Sequence, residues 1–127
     1  MDPAAALDRW LGAYRRAWED RDPAAAADLF AADATYHETP FDEPFRGRDG
    51  IFEYWSEVPR TQRGISFSYE ILATTEGGGV AHWRASFLRL PADDPVELDG
   101  IFLVELDAEG RCTEFREWWH KQEEKAS

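Results

Sequence analysis

The chain has 127 residues, and 26 acidic against 14 basic side chains give it a formal net charge of −12. A chain of this size buries roughly two-thirds of its unfolded surface, which suits one domain with a proper core, and its charge repels nucleic-acid phosphates and anionic lipid surfaces. Six Trp, four Tyr and eight Phe form a heavy aromatic load that either fills a core or lines a cavity.

Asp2 and Pro3 read as an N-cap and first helical position, and Leu7, Trp10, Leu11, Tyr14, Ala17 and Trp18 then recur at helical spacing to about Asp20. Asp22-Pro23 repeats the start signal for a second short helix, Ala24 to Phe30, with Leu29 and Phe30 inward. Asp33 to Glu38 reads as a brief strand before the Pro40–Pro44 loop, and a third helix follows Gly47, with Ile51, Tyr54 and Trp55 on one stripe and Pro59 as its stop. Four strands follow, Ile65–Thr75, Val80–Leu90, Val96–Leu106 and Cys112–His120, separated by short turns at Gly77–Gly79, Ala92–Pro95 and Asp107–Gly110. Helices first and a strand meander second predict an α+β domain over residues 1–121, with 122–127 as a short charged tail.

The lone cysteine, Cys112, excludes an internal disulfide, and MDPAAALDRW lacks the basic start and apolar run of a signal peptide. No apolar stretch approaches the length of a membrane span. A soluble cytoplasmic protein is the expectation. His37, His82 and His120 lack the short paired spacing of a metal site, so neither metal nor other cofactor is expected. If Trp83 faces a pocket, His82 and Arg84 fall on the outer sheet face.

The order of these elements, together with GRDGIFEYW, LDGIFLVELDAEGR and the final REWW, resembles the nuclear transport factor 2-like superfamily and its SnoaL-like branch over nearly the whole chain. That resemblance implies a cone, a bent and mostly antiparallel sheet packed against three helices around an apolar pocket. It also implies a homodimer formed through the outer sheet face, with Trp118, Phe67 or Tyr69 as outward candidates. LFAADATYHETPFDEPFRG is similar to the matching region of ketosteroid isomerases. On that likeness Glu38 stands where those enzymes carry a general base, Tyr14 where they carry an oxyanion-binding tyrosine, and Phe102 where they carry a second donor, a protonated Asp. Loss of one such donor costs on the order of 2.7–4 kcal/mol of transition-state stabilisation. Asp99 sits an odd number of residues away and points to the other face.

An inward Glu38 among Trp18, Phe30, Phe45, Tyr54, Trp55, Trp83, Phe102, Phe115 and Trp119 would be desolvated, which raises a carboxyl pKa and makes a proton shuttle. The alternative is that Glu38 caps a loop amide or pairs with Arg46 or Arg48. Glu117 shares a strand face with Phe115 and Trp119 and could form a coupled acid pair with Glu38, unless Glu114, Arg116, Trp118 and His120 face inward instead. Tyr14 is either a donor to a ligand or an ordinary core tyrosine. Two functions follow. One is a cofactor-independent isomerase, dehydratase or cyclase acting on a small hydrophobic molecule, with Glu38, Tyr14 and Glu117 as catalytic groups. The other is a non-catalytic ligand-binding or dimerisation module with a filled aromatic pocket.

Overall fold

The computed structural model describes residues 2–123. In chain order these form α1 (Pro3–Glu19), α2 (Pro23–Ala27), β1 (Phe30–His37), β2 (Phe45–Arg46), α3 (Gly47–Trp55), α4 (Glu57–Thr61), β3 (Gln62–Thr74), β4 (Gly78–Arg89), β5 (Asp94–Leu106) and β6 (Cys112–Glu123).

The two Asp-Pro starts behave as their chemistry dictates. Asp2 accepts the Ala4 amide at 3.0 Å and Asp22 accepts the Ala25 amide at 3.1 Å, each satisfying one orphan N–H of a first turn that begins with proline. α1 then buries Leu7, Trp10, Leu11, Tyr14, Ala17 and Trp18.

α2 is shorter than the sequence pattern predicts. It ends at Ala27, and Phe30 opens β1 as a fully buried strand residue instead of closing a helix. The alanine run has high helix propensity, but the Leu29 carbonyl accepts the Cys112 amide at 2.8 Å, so pairing with β6 captures this segment. Pro59 does not stop α3, which closes at Trp55. It is the third residue of α4, inside a first turn where its missing N–H costs nothing. β6 runs through Glu123, two residues beyond the domain end read from the sequence, and residues 124–127 of the charged tail lie outside the described residues.

The sheet order is β2-β1-β6-β5-β4-β3. β1 and β6 pair parallel, and the other neighbours pair antiparallel. The helices cover one face of this sheet, giving the α+β cone. Alternation sends Phe67, Trp83, Phe102 and Phe115 to the helix side, where each is at most 1% exposed. Full burial of one such ring stabilises by roughly 1.5–3 kcal/mol. Gly100 makes this layer possible: a Cβ there would stand 2.3 Å from the Trp118 carbonyl oxygen and 3.0 Å from Cε2 of Trp83. The bare backbone lets the Trp83 indole lie across β5.

Of the three side chains proposed for the outer face, only Trp118 is there, 44% exposed. Phe67 is buried in the aromatic core, and Tyr69 donates its hydroxyl hydrogen to Asp8 of α1 at 2.7 Å. In ISFSYEIL the serines alternate with these rings, and sheet polarity puts the serines outside.

Candidate functional site

Parallel pairing of β1 with β6 sets Tyr36 opposite Phe115 and His37 opposite Arg116, so Tyr36 and Glu117 project inward from neighbouring strands. The Tyr36 hydroxyl donates to Glu117 Oε2 at 3.2 Å, and the Tyr14 and Tyr36 hydroxyl oxygens lie 3.3 Å apart. Phe115 stacks on Tyr36 with centroids 4.5 Å apart and on Tyr14 at 5.6 Å, fixing both phenol rings from beneath. Phe45 stacks on Tyr54 at 4.5 Å.

This polar chain borders a cavity of about 170 Å³. Tyr14, Trp18, Glu38, Tyr54, Trp55, Trp83, Glu117 and Trp119, all expected from the sequence, line it. Four expected lining residues do not. Phe30, Phe102 and Phe115 are fully buried beneath the lining, and Phe45 supports Tyr54 from β2. Each is displaced from the cavity by the ring it packs against. Tyr36, Gln62, Arg89 and Lys121 do not stand out in the sequence and are part of the lining. Tyr36 was findable, since it lies two residues from Glu38 and shares its strand parity.

Glu117 is 7% exposed and is the one charged side chain in the core among the described residues. The Phe115 register of β6 therefore faces inward. Burial holds the Glu117 carboxyl well above the usual carboxylate range, the Glu38 charge raises it further, and the Tyr36 hydrogen bond pulls weakly downward. Glu38 lies just past the end of β1 and is half-buried. Its carboxyl is also raised, chiefly by burial, with the Trp119 indole opposing and the Asp42 charge adding a smaller upward push. The Trp119 Nε1–H also donates to the Glu38 backbone carbonyl at 3.0 Å. Neither arginine named as an alternative partner reaches Glu38: Arg46 stands 3.9 Å from Glu43, and Arg48 donates to the Phe30 carbonyl at 2.8 Å.

The two acids are unequal by position. Glu38, closer to solvent, ionises first while Glu117 is still neutral, and Glu117 then faces a charged neighbour. Environments that push two carboxyls apart in this way divide them into base and acid. Burial raises Tyr14, Tyr36 and Tyr54 well above the ordinary phenol value, so all three are neutral donors. With Glu117 protonated, three O–H hydrogens serve the two hydrogen bonds that join Tyr14, Tyr36 and Glu117, leaving one to present to an occupant. With Glu117 ionised, none is left over.

Other candidates fall elsewhere. His82 sits on the outer face, with Nε2 2.9 Å from Asp99 and Nδ1 3.3 Å from Glu70, and Arg84 donates to Asp99 at 3.0 Å. Cys112 is buried, and burial pushes its thiol upward, away from reactivity.

The model of the SnoaL-like domain matches residues 11–115, and the chain belongs to that family. A curated relative named steroid Δ-isomerase, from Nocardioides simplex, is 30% identical over 115 residues, covering 91% of this chain and 87% of the relative. Among solved structures, a putative isomerase from Bacillus subtilis superposes with a TM-score of 0.83 at 16% identity, covering 94% of this chain and 90% of its own. SalBIII, described as an epoxide hydrolase/cyclase-like enzyme with a role in pyran ring formation in the polyether salinomycin, superposes with a TM-score of 0.81 at 17% identity, covering 94% and 95%. Identities this low show a shared fold and leave the chemistry to the site.

Proposed function

We propose that this protein is a cofactor-independent proton-transfer enzyme acting on a small apolar carbonyl compound. The observation that carries the reading is the buried Tyr14–Tyr36–Glu117 chain facing the same cavity as Glu38. Ionised Glu38 takes a proton alpha to the substrate carbonyl, and the spare hydrogen of the chain is donated to the oxygen as it gains negative charge. Glu38 then returns the proton to the gamma carbon, and the double bond moves into conjugation. Protonated Glu117, directly across the ladder from Phe102, is the acid that the Phe102 position lacks, and its proton is what gives the chain its one spare hydrogen. A carboxylic acid kept neutral at pH 7 by an apolar site is a known device for this task.

The curated isomerase relative supports the reaction class. The cavity supports a smaller substrate than a steroid, since typical small-molecule sites run to roughly 300–1,000 Å³. The test is conversion of 3-cyclohexen-1-one to its conjugated isomer, followed by ultraviolet absorbance. Glu38→Gln should lower the rate by about 10²–10⁴ while leaving ketone binding unchanged, the range expected for a positioned general base. Unaltered turnover in that variant would remove Glu38 from the mechanism, and no turnover with reversible ketone binding in the wild type would make the protein a binding module.

We also propose that a second copy of the chain covers the outer sheet face. Trp118 lies opposite Ile101 on that face, beside Arg84 and Asp99, a strip with both apolar and self-complementary charged groups.

A further inference from the structure

The far end of the cavity is lined differently from the catalytic end. Among the described residues, Glu38 and Glu117 are its only acidic lining groups, and Arg89 and Lys121 its only basic ones. On β6 the inward positions run Glu117, Trp119, Lys121, so Lys121 stands four residues, roughly 13 Å of strand, beyond Glu117. Arg89 projects from the end of β4 beside Gln62, its partner across the β3–β4 ladder.

These groups are held in place with donors to spare. Arg89 gives its Nε–H to Glu123 at 2.9 Å and has its guanidinium carbon 5.8 Å from the centre of the Phe87 ring. Its two terminal nitrogens have no hydrogen-bond partner among the described residues. Lys121 Nζ lies 3.5 Å from the same Glu123, so two cations share one carboxylate and the trio carries a net positive charge. The Trp18 indole donates to Gln62 Oε1 at 2.8 Å, which orients the amide and leaves its N–H₂ as the exposed end. Away from Glu38 and Glu117, the wall is therefore rich in donors and poor in acceptors, on a chain whose overall charge is strongly negative.

We infer that the occupant of this cavity carries an acid group as well as a carbonyl, with the acid group seated against Arg89, Lys121 and Gln62. A neutral hydrocarbon ketone would leave these donors without acceptors, whereas a carboxylate accepts from a guanidinium fork and from N–H groups together. Placement of the carbonyl at the tyrosine end rests on the proton-transfer reading; recognition of the acid group does not.

The test uses the intact chain and two probes of nearly equal shape, 4-oxocyclohexanecarboxylate and 4-oxocyclohexanecarboxamide, with binding read by calorimetry. The carboxylate should bind about tenfold more tightly than the amide, equivalent to about 1.4 kcal/mol. In Arg89→Met that preference should shrink to near parity, the carboxylate losing more affinity than the amide, and Lys121→Met should remove part of it. Added salt should narrow the gap in the wild type, which keeps the inference testable if a variant fails to fold. Equal binding of both probes to the wild type, equal weakening of both in Arg89→Met, or no binding of either would overturn the inference. Deuterium exchange alpha to the ketone, followed by NMR in the same samples, separates the two readings. Charge preference without exchange retains acid recognition and removes proton transfer, and exchange without charge preference does the reverse.

Discussion

Replacing Glu117 with glutamine tests the buried acid directly, because the variant keeps an acceptor for Tyr36 and removes the ionisation. In the unfolded chain Glu117 titrates near the ordinary value of 4.5, whereas burial raises it in the fold. Folding therefore takes up a proton between those two values. The stability this contributes is fully present below the lower value and is lost as pH rises through the folded midpoint. The Glu117→Gln variant has no such dependence, so inside that window the wild type loses about 1.4 kcal/mol per pH unit relative to it. Two pH units within it separate the proteins by about 2.7 kcal/mol, which for a domain of this size corresponds to roughly 3–5 °C of melting temperature per kcal/mol. The difference between variant and wild-type melting curves, measured at half-unit steps from pH 4 to pH 8, isolates this slope from Glu38, whose own titration is common to both. A constant offset from any altered hydrogen bond does not mimic it. Parallel curves with no pH-dependent gap would mean that Glu117 ionises as a solvated carboxylate and that the chain has no spare hydrogen to donate.

Turnover should follow a bell-shaped pH profile, falling below the raised value of Glu38, where the base is protonated, and falling again above that of Glu117, where the donor is lost; in Glu117→Gln the alkaline limb should vanish. Tyr36→Phe breaks both links of the polar chain and leaves Glu117 without its donor, so chemical denaturation should show a loss of about 1–3 kcal/mol, with proton exchange reduced as well. Gly100→Ala forces a methyl to 2.3 Å from the Trp118 carbonyl oxygen, and a loss of about 1–3 kcal/mol is expected from overpacking, accompanied by a changed near-ultraviolet tryptophan signal. Trp118→Asp should yield a monomer by light scattering at a concentration where the wild type is dimeric; a wild-type monomer at micromolar concentration would end the dimer proposal.

The parts of the fold that were legible in the sequence are those where one local signal met no competitor. Both Asp-Pro caps, the stripe on α1 and the three hairpin turns are short-range features, and the strands between them hold rings and branched residues that no helical pattern disputes. The start of β1 was hidden because AAAADLFAADA favours a helix by propensity, while the bond that settles it comes from Cys112, far along the chain. The parity of ISFSYEIL carried the correct face for Phe67 and Tyr69, since serines alternate with them. The need of a homodimer for outward apolar groups is a weaker guide to these two rings than that alternation. At the site, Glu38, Tyr14 and Glu117 come together at one cavity, but Tyr36, the residue that links two of them, reads locally as one more strand aromatic. Arg89 and Lys121 were invisible for a similar reason: charges near strand ends look like solvated termini until the sheet bends them towards a common mouth.

The hydrogen bond between Tyr36 and Glu117 joins residues 81 positions apart. It depends on the parallel β1–β6 ladder, whose loop-closure entropy is among the largest the chain must overcome. A folding intermediate holding the two N-terminal helices and the β3–β5 meander would already possess most of the aromatic core yet have no acid, no completed cavity wall and no seat for an acid group. Function in this molecule thus depends on its longest-range strand pairing, and ligand protection of β6 amides against hydrogen exchange would report whether that closure is intact.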